Sequence, residues 1–484
     1  MKINPDFLKK NISSFLNRMR SGPAVFSISL CIAATFVIIA VKSDESIGDI
    51  RTIFGFSLLV LMLFILYIIL QGKTILQREL NNREKYLLAS IIGFYIIGGV
   101  LIKNLSEGYI NIPVSLAIPT ALFIMLLAVF LGRRLAVIMA IALPLGAYFA
   151  GAFDNHSYII ALFSGVAASI VLHNAQNRMS LIKAGLIIAA ANFAAVIVVL
   201  LISRAGFYDY PVPLFWAVIN GIICGMLILG FLPPLEHALN AVTIFRLMEL
   251  SDLNAPILRK LFTTAPGTYS HSLMVANLAE QACQDICHQG GWANAMLARV
   301  GAYYHDIGKM DNPDYFVENQ TDHNRHDDIA PRLSATIIRS HVKLGVEKAT
   351  SLGLPKDVIS IIAEHHGNSI ISWFYNKATE NEVTVNSEDF SYPGSPPRSK
   401  ESAIVMLADI TEAAVRTLTK PTAAKIEKFI QQLFQAKIDH GQLSESDLSF
   451  SDLEVIKKAF VKVLAGYYHS RIEYPKQQKA DDSE

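Results

Sequence analysis

The sequence predicts an all-α protein, a polytopic transmembrane helical bundle followed by an all-helical globular domain, and three observations lead there. With 52% hydrophobic and only 17% charged residues over 484 positions, the chain is too apolar for an ordinary soluble protein. The excess is uneven: long apolar runs follow one another from about Ala24 to Phe231, and after Glu236 the sequence turns charged, amphipathic and rich in histidine. In that second half apolar residues recur at helical spacing almost throughout. The formal net charge of +1 carries no polybasic character, so a DNA or RNA polymer is not an expected partner. Cys31 and Cys224 lie inside apolar runs, and Cys283 and Cys287 are one helical turn apart. With no CxxC pair, they read as buried thiols in a reducing compartment.

Eight runs are long enough, or nearly so, to cross a hydrocarbon core as helices: roughly 24–41, 53–70, 87–102, 112–131, 135–153, 158–172, 184–203 and 214–232. The sixth is the shortest. Lys2, Lys9, Lys10, Arg18 and Arg20 precede the first run, and alternate loops carry Lys73, Arg78, Arg83 and Lys85, then Arg133 and Arg134, then Arg178 and Lys183. The intervening loops are richer in Asp44, Glu45, Asp49, Glu107, Asp154 and Asp209. This bias puts both termini on the cytoplasmic side of a multi-pass cytoplasmic-membrane protein. The first run has no small-x-small cleavage site after it and reads as a retained anchor rather than a signal peptide. The spans hold essentially no ionisable residue, which argues against a transport pathway and for an anchor or signal-receiving bundle in the lipid bilayer.

The expected boundaries are 1–234 for the membrane region, 235–264 for a connector helix, 265–475 for the globular domain and 476–484 for a disordered tail. Pro233-Pro234 is expected to end the last span. Helical patterns follow over Tyr269–Ile286, Pro331–Leu344 (with Leu333, Ile337 and His341 on one face), Lys356–His366 and Glu401–Leu418. Between Asn376 and Lys400 the pattern breaks. A loop this long inside a compact domain is often a lid, and Phe390 and Tyr392 are candidates to offer aromatic faces to a base.

The domain is organised around Gly301-Ala-Tyr-Tyr-His-Asp-Ile-Gly-Lys309, where His305-Asp306 ends the apolar run Ala295 to Ala302. An ionisable pair placed there costs several kcal/mol unless something compensates. In four other helical patterns His271, His341, His365-His366 and Asp409 stand where an apolar residue is expected. Each alone reads as a core side chain bonded to backbone, but one metal centre would satisfy them all. Ten of the thirteen histidines lie between His271 and His469. His288, His440 and His469 read as surface, and His323 and His326 as a solvated loop or a pocket mouth. Five imidazoles and two carboxylates without a thiolate exceed one tetrahedral zinc. They suit two six-coordinate divalent ions, iron or manganese, with positions open for water and substrate. Such a pair clamps a phosphate diester and activates water for in-line attack. Asp306 is the natural bridging ligand, and Lys309, one turn on, the natural partner of a non-bridging phosphate oxygen.

This ordered set resembles the HD phosphohydrolase superfamily. The stretch from about Glu236 to Pro475 is similar, more narrowly, to the membrane-bound seven-transmembrane HD family of cyclic di-AMP phosphodiesterases. The strings that carry the resemblance are Leu250-Ser-Asp-Leu-Asn-Ala-Pro256, Ala265-Pro-Gly-Thr-Tyr-Ser-His271-Ser, the Gly301–Met310 stretch, Tyr315-Phe-Val-Glu-Asn-Gln320, His365-His-Gly, Tyr392-Pro-Gly, Ala408-Asp409 with Glu412-Ala-Ala, and Arg471-Ile-Glu-Tyr-Pro475. The resemblance implies a cytoplasmic HD domain. It also implies one ion on His271, His305, Asp306 and Asp409, a second on Asp306, His341, His365 and His366, and the linear product pApA. The family's anchor helix plus seven spans matches the eight runs. Two departures stand out. Only Lys42 to Thr52 connects the first two runs, where the family has a large extracellular domain, and Ser395-Pro396 replaces a proline followed by a basic residue. Cyclic di-GMP cleavage, as in HD-GYP proteins, is the second hydrolase reading, but Gly367-Asn-Ser follows His365-His366 in place of that family's signature. A catalytically silent nucleotide sensor is the third, although none of the seven candidate ligands is missing. The sequence leaves open whether the chain forms a homo-oligomer.

Overall fold

The computed structural model describes residues 80, 82–109, 114–172, 177–320, 323–381, 384–418 and 421–469. The first two expected spans, the loop between them and the tail lie outside the described residues. The all-α expectation holds. Among the described residues there is no β-strand, only an isolated antiparallel bridge between Ile370 and Ser391. The chain divides into two compact units, residues 1–245 and 246–484.

The first unit contains α1 (Asn82–Tyr109), α2 (Val114–Ala117), α3 (Thr120–Leu131), α4 (Arg133–Phe149), α5 (Asn155–Val171), α6 (Met179–Ile202) and α7 (Pro211–Leu239). Of these, α1, α6 and α7 are long and apolar enough to cross a membrane, while α3 and α5 are apolar but shorter. The run expected as one span over 112–131 is broken. Pro119 has no N–H and disfavours helical geometry at Ile118, so α2 stops and α3 restarts. With 12 residues, α3 rises only about 18 Å against a core of about 30 Å. The carbonyls freed at the break are satisfied from across the bundle: Asn220 Nδ2 donates to Leu116 O at 2.8 Å and Ile118 O at 3.3 Å, and Asn192 Nδ2 donates to Asn220 Oδ1 at 3.0 Å. Backbone left open at membrane depth must find such partners. Helices α6 and α7 pack backbone to backbone, since a Cβ at Gly221 would lie 2.3 Å from Ala189 N and one at Gly225 2.8 Å from Gly185 Cα.

Pro233-Pro234 does not end the last span. Helix α7 continues to Leu239, forgoing the hydrogen bonds two proline nitrogens cannot make, and stops at Asn240 in the left-handed region at φ 47°. The connector expected as a single helix over 235–264 is three pieces: the end of α7, α8 (Ile244–Leu250) and α9 (Pro256–Thr264). Asn240 makes the first break. At the second, Pro256 keeps Ala255 extended while starting α9.

The second unit continues with α10 (Pro266–His288), α11 (Ala295–Tyr304), α12 (Pro331–Ser351), α13 (Lys356–Glu364), α14 (Ser372–Asn381), α15 (Lys400–Val415), α16 (Ala423–Asp439) and α17 (Phe450–His469). Helix α12 turns a different face inward from the one expected: Leu333 is exposed, and Ser334, Ala335, His341, Val342 and Gly345 are buried. The expected lid is anchored. Helix α14 runs on to Asn381, the Ile370–Ser391 bridge pins the return, and a Cβ at Gly394 would lie 2.4 Å from Ala363 O. Phe390 cannot offer a face to a base, because it is fully buried against Ala335, Phe374 and Ala378. Phe390→Ala is expected to destabilise this unit by about 3–5 kcal/mol, read as a lowered unfolding midpoint.

Candidate metal centre

The candidate ligands reach the centre from five separate stretches of the chain. Helix α10 carries His271, and the buried apolar stripe of α11 delivers His305 at its C-cap. Asp306 opens a 3₁₀ turn, Ile307–Asp311, that carries Lys309. His341 stands on the buried face of α12, His365 and His366 follow α13, and Asp409 lies on α15. Close packing brings these elements in: a Cβ at Gly301 would lie 2.4 Å from Ile361 Cδ1.

All seven candidate ligands meet. His305 Nε2 lies 3.0 Å from Asp306 Oδ2, and His271 Nε2 lies 3.0 Å from Asp409 Oδ1 and 3.7 Å from Asp306 Oδ2. On the other side His341 Nε2 is 3.3 Å and His365 Nε2 3.7 Å from Asp306 Oδ1. His366 Nδ1 lies 3.5 Å from Asp409 Oδ2. Asp306 with His341, His365 and His366 is one group spaced to hold an ion, and His271 with His305 and Asp306 is another, so Asp306 is common to both.

Proton placement shows what the centre lacks. The Nδ1 atoms of His305, His341 and His365 lie 2.7, 2.6 and 2.8 Å from the carbonyls of Ala302, Ile338 and Ile362. A carbonyl only accepts, so each Nδ1 carries a proton and Nε2 is the ring nitrogen turned inward. His341 Nε2 and His365 Nε2 thereby face each other at 3.2 Å. His271 Nε2, His305 Nε2 and both Asp306 oxygens are buried without a hydrogen-bond partner. Lys309 Nζ comes within 2.7 Å of Asp306 Oδ2, but outside a hydrogen-bonding direction. Buried acceptors of this kind are costly, and cations among them remove the cost. The donor set of imidazole and carboxylate fits divalent first-row ions.

The electrostatics point the same way. Burial opposes the charge on Asp306, yet His305 and Lys309 hold its carboxyl well below the usual range. Burial keeps His341 neutral, with its pKa pushed down to about 3. Lys309 is raised despite burial by Asp306 and Glu318. Burial would lower His271, but the carboxylates of Asp409 and Glu412 beside its two ring nitrogens raise it to about 10. An ion on His271 Nε2 must displace that proton. Metal affinity is therefore expected to climb by about tenfold per pH unit from neutrality towards pH 10 and then level off, measured by chelator competition. Without metal the opposite sign is expected: His271 should contribute stability in full below about 6.5, lost as pH rises through about 10.

Two carboxylates with no assigned role belong to the site. Glu412 Oε2 lies 2.5 Å from His271 Nδ1 and fixes the tautomer that leaves Nε2 for an ion. Glu318 Oε1 accepts from Lys309 Nζ at 2.8 Å and Thr268 Oγ1 at 3.0 Å. Both stand inside strings that carry the family resemblance, and Glu412 is also one turn from Asp409 on the same helix. Glu412→Gln is expected to weaken metal binding about 10–100-fold. Tyr392 reaches the centre, but its ring is stacked on His366 at 4.2 Å between centroids, so one of its faces is taken. Lys309 lines the same cavity, with its ammonium between two carboxylates and 4.9 Å from the Phe316 ring centroid. His326 is buried against Tyr315 O, whereas His323 is exposed beside Asp328. His288 and His440 are on the surface, as expected, and the side chain of His469 lies outside the described residues.

Comparison with known proteins places both halves. Residues 50–243 match the family described as 7TM receptor with intracellular HD hydrolase, and residues 268–414 match the HD domain family. The cyclic-di-AMP phosphodiesterase PgpH of Bacillus subtilis is 36% identical over 407 residues, 82% of this chain and 56% of its own length. PgpH of Listeria monocytogenes is 35% identical over 393 residues, 80% of this chain and 53% of its own length. The chain thus spans about half the length of these relatives. The crystal structure of the L. monocytogenes PgpH HD domain in complex with cyclic-di-AMP is 43% identical, covers 45% of this chain and all of that one, and superposes with a TM-score of 0.42.

Proposed function

Because the chain belongs to the family of 7TM receptors with an intracellular HD hydrolase, we propose that it is a membrane-anchored dimetal phosphodiesterase that hydrolyses cyclic di-AMP to linear pApA on the cytoplasmic side. The observation that carries the reading is the set of buried polar atoms without a hydrogen-bond partner, His271 Nε2, His305 Nε2 and both oxygens of Asp306, gathered around one carboxylate. His271, His305, Asp306 and Asp409 would hold one ion and Asp306, His341, His365 and His366 the other, with iron or manganese suited to the donors. Such a pair supplies Lewis acidity towards a phosphodiester and makes water nucleophilic at neutral pH.

The chain's own residues do the rest. Asp306 holds both halves of the ligand set in register. Glu412 orients His271, and the backbone carbonyls behind His305, His341 and His365 fix the other rings. Lys309, kept protonated, places a positive charge at the cavity wall beside Asp306. Tyr392 braces His366 and has an edge left for a ligand.

The names of the relatives support the substrate. Loop cations support an arrangement with both termini in the cytoplasm, and the boundaries 1–234, 235–264, 265–475 and 476–484 remain the proposed division. Purified full-length protein loaded with manganese and given cyclic di-AMP and cyclic di-GMP separately tests the reading. Cleavage of the first to pApA is expected. Cleavage of only the second, or binding of either without cleavage, would replace it with one of the two alternatives.

A further inference from the structure

The cavity over the centre holds a cation that the ligand set leaves out. Arg416 follows α15 directly and lines the cavity with His271, Lys309, Glu318 and Tyr392. Its Nη2 donates to Glu412 Oε2 at 2.7 Å, its one side-chain partner among the described residues, and its side chain is 41% exposed. A guanidinium has five N–H donors, so most of its donors stay available. Asp409, Ala413 and Arg416 follow at helical spacing along one face and all line the cavity, from buried Asp409 to partly exposed Arg416. Residue 416 lies about 10 Å beyond residue 409 along that axis. The bond to Glu412 shows the side chain folded back over the preceding turn, towards the centre.

Charge says what this cation is for. Lys309 is already committed between Asp306 and Glu318. Four carboxylates (Asp306, Glu318, Asp409 and Glu412) against Lys309 and Arg416 leave a surplus of about two negative charges, which two divalent ions would turn into about two positive ones. A cyclic dinucleotide carries two phosphodiester charges. The cavity, about 210 Å³, is smaller than the ~300 Å³ at which small-molecule pockets usually begin, so a ligand of that size must extend beyond it, and Arg416 is the partly exposed cation among its lining residues.

Resting on the phosphodiesterase reading, we infer that Arg416 binds the second, uncleaved phosphate of a two-phosphate substrate. It thereby selects cyclic dinucleotides over simple phosphodiesters. The test uses the full chain loaded with manganese, with cyclic di-AMP and the one-phosphate diester bis(4-nitrophenyl) phosphate as substrates. A charge-assisted hydrogen bond of this kind is worth roughly tenfold or more. Arg416→Gln is therefore expected to raise KM for cyclic di-AMP by about tenfold or more, and to raise KM for the one-phosphate diester far less. Manganese content per chain should stay at the wild-type value. Arg416→Lys, which keeps the charge and loses the fork, should fall between. Equal losses on both substrates, or loss of bound manganese, would overturn the inference by showing that Arg416 acts only through Glu412 and His271. Wild-type protein that cleaves the simple diester but neither binds nor cleaves cyclic di-AMP would sink the substrate reading, and this inference with it.

Discussion

Replacing Asp306 by alanine is expected to abolish hydrolysis and to strip bound metal from the protein while leaving its helical content in place. The carboxylate is buried, its two oxygens face opposite halves of the ligand set, and two of the three groups spaced to hold an ion include it. Removing a group behind a metal ligand already costs about 10–100-fold. A ligand common to two ions should cost more than about 100-fold in turnover, with fewer than two ions left per chain. The fold should survive, since Lys309 keeps Glu318 as a partner at 2.8 Å and the alanine removes a buried charge rather than creating a new one. Asp306→Asn separates shape from charge: it retains one oxygen acceptor, and its turnover should fall nearly as far. Metal analysis, circular dichroism and a product assay on the same preparation decide it. An alanine variant with two bound ions and substantial turnover would show that the bridging carboxylate has been misassigned.

The placement of these seven side chains was legible in the sequence because burial of an ionisable group is expensive wherever it occurs. His271, His341 and Asp409 each interrupt an apolar stripe, and a stripe is readable from spacing alone. Positions that depend on packing between elements were harder to read. Leu333 was expected inside and lies outside, because α12 rotates to set the small Ser334, Ala335 and Gly345 against its neighbours. Phe390 looked available to a base and is sealed into a cluster with Phe374 and Ala378, a contact between segments that no local pattern encodes. Prolines were ambiguous for a related reason. Pro119 breaks its helix and Pro233-Pro234 do not, and the partner that Asn220 supplies to the carbonyls at the first break comes from a distant part of the chain. Glu318 and Glu412 stood inside recognisable strings, but their roles become visible only once the partners they hold, Lys309 and His271, are seen beside them.

Gly308→Ala should be the most damaging single methyl addition around the metal centre. A Cβ there would lie 1.9 Å from His341 O and 2.6 Å from Gly345 N. Both are backbone atoms of α12, so no rotamer change relieves the clash. Gly308 is not held at positive φ; the constraint is space alone. Relief requires the Ile307–Asp311 turn and α12 to separate, and that motion pulls His341 away from Asp306. Overpacking of this kind costs typically 1–3 kcal/mol when neighbours can adjust, and two rigid backbones adjust less. The expected result is a lower unfolding midpoint together with selective loss of the ion assigned to His341, His365 and His366. The ion assigned to His271, His305 and Asp409 should be held more tightly by comparison. Gly345→Ala is the matched control. Its Cβ would meet the side-chain atom Ile362 Cγ2 at 3.0 Å, with Gly308 N no closer than 3.5 Å, so a small shift of one isoleucine accommodates it. Metal stoichiometry and thermal unfolding of the two variants side by side check the argument. Equal damage at both positions would mean that the approach of the turn to α12 is not what sets the geometry of the second ion site.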